Sequence, residues 1–437
     1  MAGCTLTKAL ALLLALLTLS ACDRAETNGK VVVTVWTEYS AAPQKPVFEA
    51  IVAEFNRTHP GIEVRHTGFE NTPYETTLKT AFAGGKPPDI VEMNGGANAF
   101  QYARAGLLAD LTDFVAPIRP RIAAGMEPAF DYRGRAYGIP WQLSIGNLLW
   151  YNPAMLRARG IDPNRLATWN GFLSAAERFK AQGLAPIAFG NREGWPGNHL
   201  FTHFSRRLMT TAQYTAIATR TFDPTVTSDF GWDDPVPVRA WALYRDLRDR
   251  GLFTAGYLSD DTPAASSLFL NGKVPFYFMG SWFIGDVEVQ GGTTPIDVTM
   301  FPTVDGAPGK SGDLVTNTLV FTLTKASKQP EAAKLFLAYL TTEPVQRKWA
   351  EGVQGLVPYR YDTRGWSLKP LLRKVAALYA SATSAAPFLD MLEDQSCNVP
   401  GIWDGSVAVL TGQLSPQEAG AMHEKCVKQL ERANGWR

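Results

Sequence analysis

The amino-acid sequence predicts an α/β protein in which mainly parallel sheets are flanked by helices. The first observation is the run VVVTVW at residues 31–36, which is apolar or β-branched throughout and is typical of a strand covered on both faces. The second is the alternation of strand-like and amphipathic stretches that follows, which indicates βαβ units with right-handed crossovers. The third is the length of 437 residues, which suffices for two lobes with separate cores.

The N-terminal segment has the features of a secretory signal. Residues 9–21 contain no ionisable side chain, and Lys8 precedes them. As a helix this segment would extend roughly 20 Å, which is shorter than the ~30 Å hydrocarbon core that a spanning helix must cross. A basic residue followed by a short apolar core and small residues is typical of a signal peptide. We therefore expect residues 1–21 to be absent from the mature protein.

The end of this segment indicates a lipid anchor. The residues LSAC at positions 19–22 resemble the bacterial lipobox, in which the cysteine is lipidated and becomes the new N-terminus. Cys22 is therefore the predicted lipidation site, and residues 22–30 would form a polar tether. Asp23 resembles the signal that keeps such lipoproteins at the inner membrane. The prediction is an extracytoplasmic protein anchored to the bacterial cell (inner) membrane, and an ordinary signal peptide with a chance cysteine is the alternative.

Charge and hydropathy exclude two classes of partner. The full chain has 42 Lys and Arg against 41 Asp and Glu, and removing residues 1–21 leaves 41 against 41 because Lys8 is the only charged residue removed. A neutral chain has no overall field that attracts nucleic acid. No second apolar stretch is long enough to span a bilayer. We expect no nucleic-acid partner and no membrane contact beyond the lipid.

The remaining cysteines predict a disulfide. Cys4 belongs to the signal and Cys22 would carry the lipid, which leaves Cys397 and Cys426. Two thiols in an oxidising compartment normally pair. Two separate buried thiols are the alternative. Because no His or Cys pair has the spacing of a zinc site, we expect neither a metal nor a cofactor.

The other elements follow from periodicity and from helix breakers. The first part of the chain is predicted to contain helices around residues 48–55 and 74–83, strands at residues 62–64 and 89–92, and a further helix after Asn94. Past residue 138 we expect helices at residues 169–181, 199–216, 236–250 and 264–271, strands at 274–278, 296–300 and 314–323, and two helices within 331–352. The last helix should begin with Ser415 as its cap, Pro416 in its first turn and Glu418 near its positive end.

Aromatic and acidic or amide residues coincide at three successive strand ends. They are Trp36, Glu38 and Tyr39 after the first strand, Glu70 and Tyr74 after the second, and Glu92 and Asn94 at the end of the third. In open parallel sheets, ligands bind outside the carboxyl ends of the strands. These loops should therefore converge on one crevice, although any single aromatic could equally belong to the core.

Further tryptophans lie beside Gly or Pro in apparent loops, and they indicate the ligand class. They belong to the stretches containing Trp141 with Gln142, Trp195, Ser281 with Trp282, and Trp403 with Asp404. Sugar rings have an apolar C–H face that packs on an aromatic plane, and hydroxyls that pair with acids and amides. The combination therefore predicts a carbohydrate site.

Four segments carry a family resemblance: GGKPPDIVEMNGG at residues 84–96, RAYGIPWQLSIGNLLWYNPAMLRARGID at 135–162, NGKVPFYFMGSWFIGDV at 271–287, and LTKASKQPEAAKLFLAYLTTEPVQRKWAE at 323–351. With them the chain resembles the extracellular solute-binding proteins of ABC-type carbohydrate importers, relatives of maltose-binding protein. The resemblance implies the two-lobe periplasmic-binding-protein fold with hinge crossings between the lobes. By analogy the first lobe comprises residues 31–140 and 316–365, and the second comprises residues 141–315 and 366–437.

The resemblance also implies a function and a site. The protein would bind a di- or oligosaccharide with high affinity and deliver it, as a monomer and without catalysis, to the transmembrane permease subunits of an ABC transporter. Most candidate residues match positions that line the family's cleft, including Tyr359 in GLVPYR, while Trp195 and Asp404 are added for their chemistry alone. The predicted ligand-binding set is Trp36, Glu38, Tyr39, Glu70, Tyr74, Glu92, Asn94, Trp141, Gln142, Trp195, Ser281, Trp282, Tyr359 and Asp404.

Other ligands and an enzyme remain as alternatives. Glycerol 3-phosphate would need a cluster of Lys or Arg, which these loops lack. A polyamine would need converging acids, so this alternative would gain if Glu38, Glu70, Glu92 and Asp404 all faced one cavity. A surface glycoside hydrolase would need two carboxylates facing each other at roughly 5–10 Å.

Overall fold

The computed structural model describes residues 29–290 and 292–435, so the predicted signal peptide, Cys22 and most of the tether lie outside the described residues. The strands are β1 (Val31–Thr37), β2 (Ile62–Gly68), β3 (Ile90–Asn94), β4 (Asp131–Tyr132), β5 (Arg135–Ala136), β6 (Ile139–Ile145), β7 (Leu148–Tyr151), β8 (Ile187–Ala188), β9 (Phe276–Phe278), β10 (Asp297–Met300), β11 (Asp313–Leu323) and β12 (Ser384–Pro387).

Helices surround these strands, and short turns of 3₁₀-helix connect several of them. The α-helices are α1 (Gln44–Thr58), α2 (Asn71–Ala83), α3 (Ala97–Arg104), α4 (Thr112–Val115), α5 (Pro153–Arg157), α6 (Trp169–Lys180), α7 (Trp195–Leu208), α8 (Thr211–Thr219), α9 (Pro235–Asp249), α10 (Thr262–Leu270), α11 (Phe283–Gln290), α12 (Pro330–Leu340), α13 (Glu343–Val353), α14 (Pro370–Ala380), α15 (Leu389–Leu392), α16 (Gln395–Asn398), α17 (Asp404–Thr411) and α18 (Pro416–Ala433).

The strands form two separate mixed sheets. The larger sheet has the order β12-β11-β3-β1-β2, and β6 also pairs with β11. Within it β1 runs parallel to β2 and β3, whereas β11 runs antiparallel to β3 and β6. The smaller sheet has the order β10-β7-β9-β8, in which only the β8–β9 pair is parallel. The α/β prediction thus holds, but the smaller sheet has fewer parallel pairs than expected, because β7 runs antiparallel to both of its neighbours, β10 and β9.

Each sheet has its own apolar core. One core is formed by β1, β3 and the end of β11 with α1, α12 and α13, and its largest members are Phe48, Trp141, Phe321 and Trp349. The other lies around the smaller sheet and is formed mainly by helices α6, α7 and α9. A third cluster continues it toward α10, α11 and α14. The chain therefore folds into two lobes, each with a hydrophobic interior.

Three segments of the described chain connect the lobes. β11 contributes Leu314 to the cluster beside the smaller sheet and Leu319 and Leu323 to the core of the larger sheet, so this one strand belongs to both lobes. The second connection is the short turn between β6 and β7, where Asn147 donates its Nδ2–H to the Asp313 carbonyl at 2.9 Å and accepts the Val315 N–H at 2.8 Å. The third leads from α13 to α14, which packs on β10. Asn147 thus ties two connections together.

Two local predictions have clear outcomes. Ser415 caps α18, because its hydroxyl accepts the Glu418 N–H and the Glu418 carboxylate accepts the Ser415 N–H. This capping box confirms the predicted start of the last helix. The single helix expected at residues 199–216 is wrong, since α7 ends before Met209 and α8 begins with its own cap at Thr210. Thr210 prefers the capping position because its hydroxyl competes with helical hydrogen bonding.

The predicted disulfide is present. Cys397 on α16 is bonded to Cys426 on α18, with their Cα atoms 5.6 Å apart. The bond closes a loop in the second lobe. Within residues 29–290 and 292–435, none of the helices is both long enough and apolar enough to cross a bilayer.

Candidate functional site

In the first lobe, Tyr74 joins the strand ends that the sequence predicted to converge. Its hydroxyl lies 3.1 Å from the Trp36 carbonyl oxygen and 2.6 Å from the Glu92 carbonyl oxygen, so it bridges β1 and β3. Tyr74 is buried, and its ring stacks on Phe69, which in turn contacts the half-buried Trp36 at a centroid distance of 5.0 Å. Tyr74 therefore positions the strand ends, and Trp36 presents aromatic surface beside them.

Glu92 supports the loop that follows β1. Its Oε2 accepts the backbone N–H of Glu38 at 3.1 Å. The Glu92 side chain has no exposed surface, and its Oε1 has no hydrogen-bond partner among the described residues. Burial raises the pKa of Glu92 well above its ordinary value, and the nearby charge of Glu38 raises it further. Glu92 thus fixes the backbone at Glu38 through this hydrogen bond. The Glu38 side chain itself is half-buried.

Three predicted aromatic contacts lie in the first lobe's interior. Trp141 is fully buried and donates its Nε1–H to the Tyr39 hydroxyl at 3.0 Å. Both rings pack against Trp349 of α13, at centroid distances of 4.9 and 5.0 Å. Tyr359 is also buried and donates its hydroxyl to the Pro140 carbonyl at 2.7 Å. The structure therefore assigns Tyr39, Trp141 and Tyr359 to the core. Phe48 of α1 and Trp349 of α13 pack on Tyr39 and Trp141.

Two amides remain at the open end of this sheet. Asn94 pairs with Leu319 of β11, and Leu319 pairs with Gln142 of β6, so the three residues form one row across the strands. Side chains in such a row project from the same face. The ladder shifts between Leu319 and Val320, which leaves Trp141 out of the pairing. Asn94 and Gln142 are half-buried and available for contact.

Glu70, at the end of the second strand, is exposed and more peripheral. Its Oε1 accepts a hydrogen bond from the Ser40 hydroxyl at 2.8 Å, which links the loops after β1 and β2. This contact places Glu70 at the rim of the same group of loops.

In the second lobe, four rings form an aromatic cluster. Trp195 lies 4.9 Å from His199 and 6.3 Å from Trp282 between ring centroids, and His199 stacks on Phe388 at 3.7 Å. Trp195 and Trp282 are both half-buried, so each keeps part of its ring open to solvent. A cavity behind Trp195 and His199 has room for little more than a water molecule. The exposed ring faces are thus the candidate contact surface of this lobe.

Ser281 anchors this cluster to the connection between the lobes. Its hydroxyl accepts the Ile145 N–H at 3.1 Å, and its own N–H donates to the Ile145 carbonyl at 2.8 Å. Because Ser281 is buried and hydrogen-bonded to β6, it positions the adjacent Trp282.

Sequence reasoning missed two residues beside Trp195. Glu193 accepts the Thr262 N–H on Oε1 at 3.4 Å, while its buried Oε2 has no partner among the described residues. Trp403 packs over Gly194, where an added Cβ would lie 3.1 Å from the indole, and the φ of +81° at Gly194 favours glycine. The predicted contact Asp404 is exposed and stays a prediction, and the half-buried Trp403 is a further candidate beside it. An acid two residues before Trp195 was the signal that could have identified Glu193.

The two lobes contact each other directly. Gly285 of α11 lies against Pro43 at the start of α1, since an added Cβ would be 3.4 Å from the Pro43 ring. On the other side of β3, the Asn98 Nδ2–H donates to the Asp390 carbonyl at 3.1 Å, and Arg104 pairs with Asp394 at 2.9 Å. The two lobes therefore meet at these two places. Among the described residues no group of three or more His, Cys, Asp or Glu is placed to hold a metal ion.

Comparison with known proteins assigns the family. Residues 41–347 match the bacterial extracellular solute-binding proteins. The chain belongs to this family. This confirms the predicted resemblance.

Individual relatives have low sequence identity to this chain but match most of its length. A probable sugar-binding periplasmic protein of Brucella suis is 25% identical over 80% of this chain and 81% of its own length. An uncharacterised ABC transporter extracellular-binding protein of Pyrococcus horikoshii is 22% identical over 80% of this chain and 76% of its own length. The solved structure of a chitin oligosaccharide binding protein superposes with a TM-score of 0.79 and 23% identity over 93% of this chain and 99% of its own. The structural likeness confirms the two-lobe fold.

Proposed function

We propose that this protein is an extracytoplasmic binding protein that captures a di- or oligosaccharide and delivers it to the permease of an ABC importer. The observation that carries the proposal is that half-buried indoles occur on both lobes, together with half-buried amides and an acid. Trp36, Asn94 and Gln142 lie on one lobe, and Trp195 and Trp282 lie on the other. The printed names of several relatives, which describe sugar-binding proteins, support this choice.

The chemistry of these side chains suits a neutral sugar. An indole offers a wide apolar plane to the C–H face of a pyranose ring. Amide and carboxylate groups form hydrogen bonds with hydroxyls. A ligand that lacks the matching hydroxyl binds more weakly, because it leaves a buried polar group without a partner. Trp195 and Trp282 in one lobe and Trp36 in the other would therefore sandwich the ring, while Asn94, Gln142 and Glu193 read its hydroxyls.

The mechanism is a shift between open and closed arrangements. A ligand that touches both lobes favours the closed arrangement by its differential affinity for it. Moving the population from mostly open to mostly closed requires on the order of 5 kcal/mol of such preference. The motion would be absorbed where the chain crosses between lobes, at Gly146 with Asn147 and within β11. The closed form would then dock on the permease without any bond being made or broken.

The N-terminal predictions complete the proposal. Lipidation of Cys22 would hold the protein at the inner membrane, so that it searches for its permease in two dimensions. The protein would act there as a monomer.

Isothermal titration calorimetry with a panel of mono-, di- and trisaccharides tests this function. We expect at least one neutral sugar to bind with a dissociation constant in the micromolar range or below and to change the tryptophan fluorescence. Glycerol 3-phosphate and spermidine serve as controls, and chromatography of the bound sugar checks that it is released intact. Binding of spermidine but of no sugar, or release of hydrolysed sugar, would contradict the proposal.

A further inference from the structure

Helix α3 of the first lobe packs against the segment of the second lobe that contains α15 and α16. Ala99 and Phe100 of α3 belong to the first core, whereas Leu389 and Leu392 of α15 belong to the second. This contact is called the seam below. It is defined by Gly96, Asn98 and Arg104 on the first lobe and by Asp390, Met391 and Asp394 on the second.

The backbones of the two lobes approach each other closely at the start of α3. A Cβ added at Gly96 would lie 2.1 Å from the Met391 carbonyl oxygen, and the φ of +67° at Gly96 also favours glycine. Two residues later, the Asn98 Nδ2–H donates to the Asp390 carbonyl at 3.1 Å. No side chain fits between the lobes at Gly96, so this end of the seam is a direct backbone contact.

An ion pair joins the lobes at the other end of α3. Arg104 Nη2 donates to Asp394 Oδ2 at 2.9 Å, and the guanidinium carbon lies 5.5 Å from the centre of the Phe222 ring. Phe222 follows α8 of the second lobe, and the neighbouring Thr221 Oγ1 accepts the Asp394 N–H at 2.9 Å. Arg104 therefore contacts two segments of the second lobe, one through an ion pair and one through a cation–π interaction.

Asp394 is held in position by contacts within its own lobe. Its Oδ1 accepts the N–H and the hydroxyl of Ser396 at 3.0 and 2.8 Å, which caps α16, while Oδ2 faces Arg104. The Asp394 side chain is 9% exposed and that of Arg104 is 40% exposed. A fixed and partly shielded charge interacts more strongly than a flexible surface charge, and the exposed side of Arg104 leaves the pair open to screening by salt.

The seam lies on the side of the first lobe where the sugar is proposed to bind. Two glycines separate α3 from Asn94, the last residue of β3, so the seam begins at the carboxyl ends of the parallel strands. On the second lobe, Asp390 Oδ2 lies 3.7 Å from Nε2 of His199, which belongs to the aromatic cluster with Trp195 and Trp282. The arrangement in which the seam is formed thus brings the candidate surfaces of the two lobes toward each other.

We propose that the Arg104–Asp394 pair is a latch that stabilises the closed arrangement of the lobes and makes the affinity for an uncharged sugar depend on salt. This inference rests on the proposed function. The latch and a sugar that touches both lobes favour the same arrangement. Without the latch, a smaller fraction of the protein is competent to bind, and the apparent affinity falls by that fraction.

Variants of the pair test the latch by calorimetry with glucose, maltose, cellobiose and maltotriose in low salt. Arg104→Gln and Asp394→Asn should each weaken binding of the tightest of these sugars by about threefold or more, because one interaction between the lobes is lost. Asparagine can still cap α16, so Asp394→Asn keeps the local fold. Arg65→Gln is the matched control, since Arg65 pairs with Glu63 of the same strand at 2.8 Å, and it should bind normally.

The double variant shows whether the two side chains act as a pair. Arg104→Gln combined with Asp394→Asn should bind within about twofold of the weaker single variant, because the second substitution removes an interaction that is already lost. A loss equal to the product of the two single losses overturns the inference.

Salt tests the latch in the unmodified protein. Raising sodium chloride from about 0.02 M to about 0.5 M should weaken binding of the neutral sugar by about twofold or more in the unmodified protein and in Arg65→Gln, but not in Arg104→Gln. If either single variant binds as tightly as Arg65→Gln, or if salt has the same effect on Arg104→Gln, the inference is overturned and the proposed function stands. If no sugar binds to the unmodified protein, both are overturned.

Discussion

The two lobes use their aromatic side chains in opposite ways. In the first lobe, Tyr39 and Trp141 lie beneath helices and hydrogen-bond to each other within the core. In the second, Trp195 and Trp282 stand at the starts of helices α7 and α11 and keep part of each ring exposed. An aromatic next to glycine is therefore available for ligand contact only where no later helix covers it. The difference predicts that substitutions of Tyr39 and Trp141 alter stability, whereas substitutions of Trp195 and Trp282 alter binding.

The largest expected effect is on the first-lobe core. Trp141→Ala removes a fully buried indole and should lower the free energy of unfolding by ~3–5 kcal/mol, because such a cavity is only partly filled by relaxation. Urea unfolding followed by circular dichroism measures this loss. If Trp141→Ala were to keep its stability and lose only sugar binding, Trp141 would be a contact after all and the contrast between the lobes would fail.

The next effect concerns the disulfide of the second lobe. Replacing Cys397 and Cys426 by Ser opens a loop of 29 residues. Loss of this constraint should destabilise the second lobe by ~3 kcal/mol, because the unfolded chain regains entropy. The measurement is thermal unfolding of the double variant. The unmodified protein with its disulfide reduced serves as the matched control. Equal melting temperatures for the variant and the oxidised protein would show that the bond does not constrain the fold.

The third effect concerns Trp282, whose substitution should change the free energy of unfolding little but should weaken sugar binding. Trp282→Ala should weaken sugar binding by about 2 kcal/mol, or roughly thirtyfold, because a half-buried aromatic anchor is lost. Its melting temperature should stay within a few degrees of the unmodified protein. Met422→Ala, another partly exposed apolar residue of the second lobe, is the matched control and should bind normally. A Trp282→Ala protein with full affinity would remove the second-lobe surface from the site.

The smallest expected effect is a pH dependence at Asp286. Burial raises the pKa of Asp286 to about 6, above its value in the unfolded chain. Its protonation therefore stabilises the unliganded fold fully below about pH 4, and this contribution is lost as the pH rises through about 6. The unfolding free energy of the unmodified protein minus that of Asp286→Asn should fall by about 1–2 kcal/mol between pH 4.5 and pH 7. A difference that does not change with pH would place Asp286 in solvent.

Much of the secondary structure was predictable from local signals. The β-branched run of β1, the helix α1 with Phe48 and Phe55 on its buried face, and the cap at Ser415 all depend on neighbouring residues. The convergence of three strand ends also followed, since parallel strands direct their carboxyl ends to one edge. Tyr74, in contrast, faces inward to bridge two strands, a role that depends on the distance between carbonyls in separate strands.

The parts that could not be predicted depend on residues far apart in the chain. Trp403 became a candidate only because it packs over Gly194, which lies about two hundred positions earlier. Glu193 became a candidate because its Oε1 accepts the N–H of Thr262 at the start of α10, while its Oε2 has no hydrogen-bond partner among the described residues. The mixed second sheet likewise results from how β7, β9 and β10 meet.

The sequence by itself determined the α/β class, the family resemblance, the cysteine pair and the kinds of side chain available for a sugar, because composition, periodicity and capping act over a few residues. Only the tertiary structure decided which aromatics were covered, which carboxylates were brought together and where the lobes meet. The physical reason is that burial is decided by the partner that packs on a face, and that partner can come from anywhere along the chain.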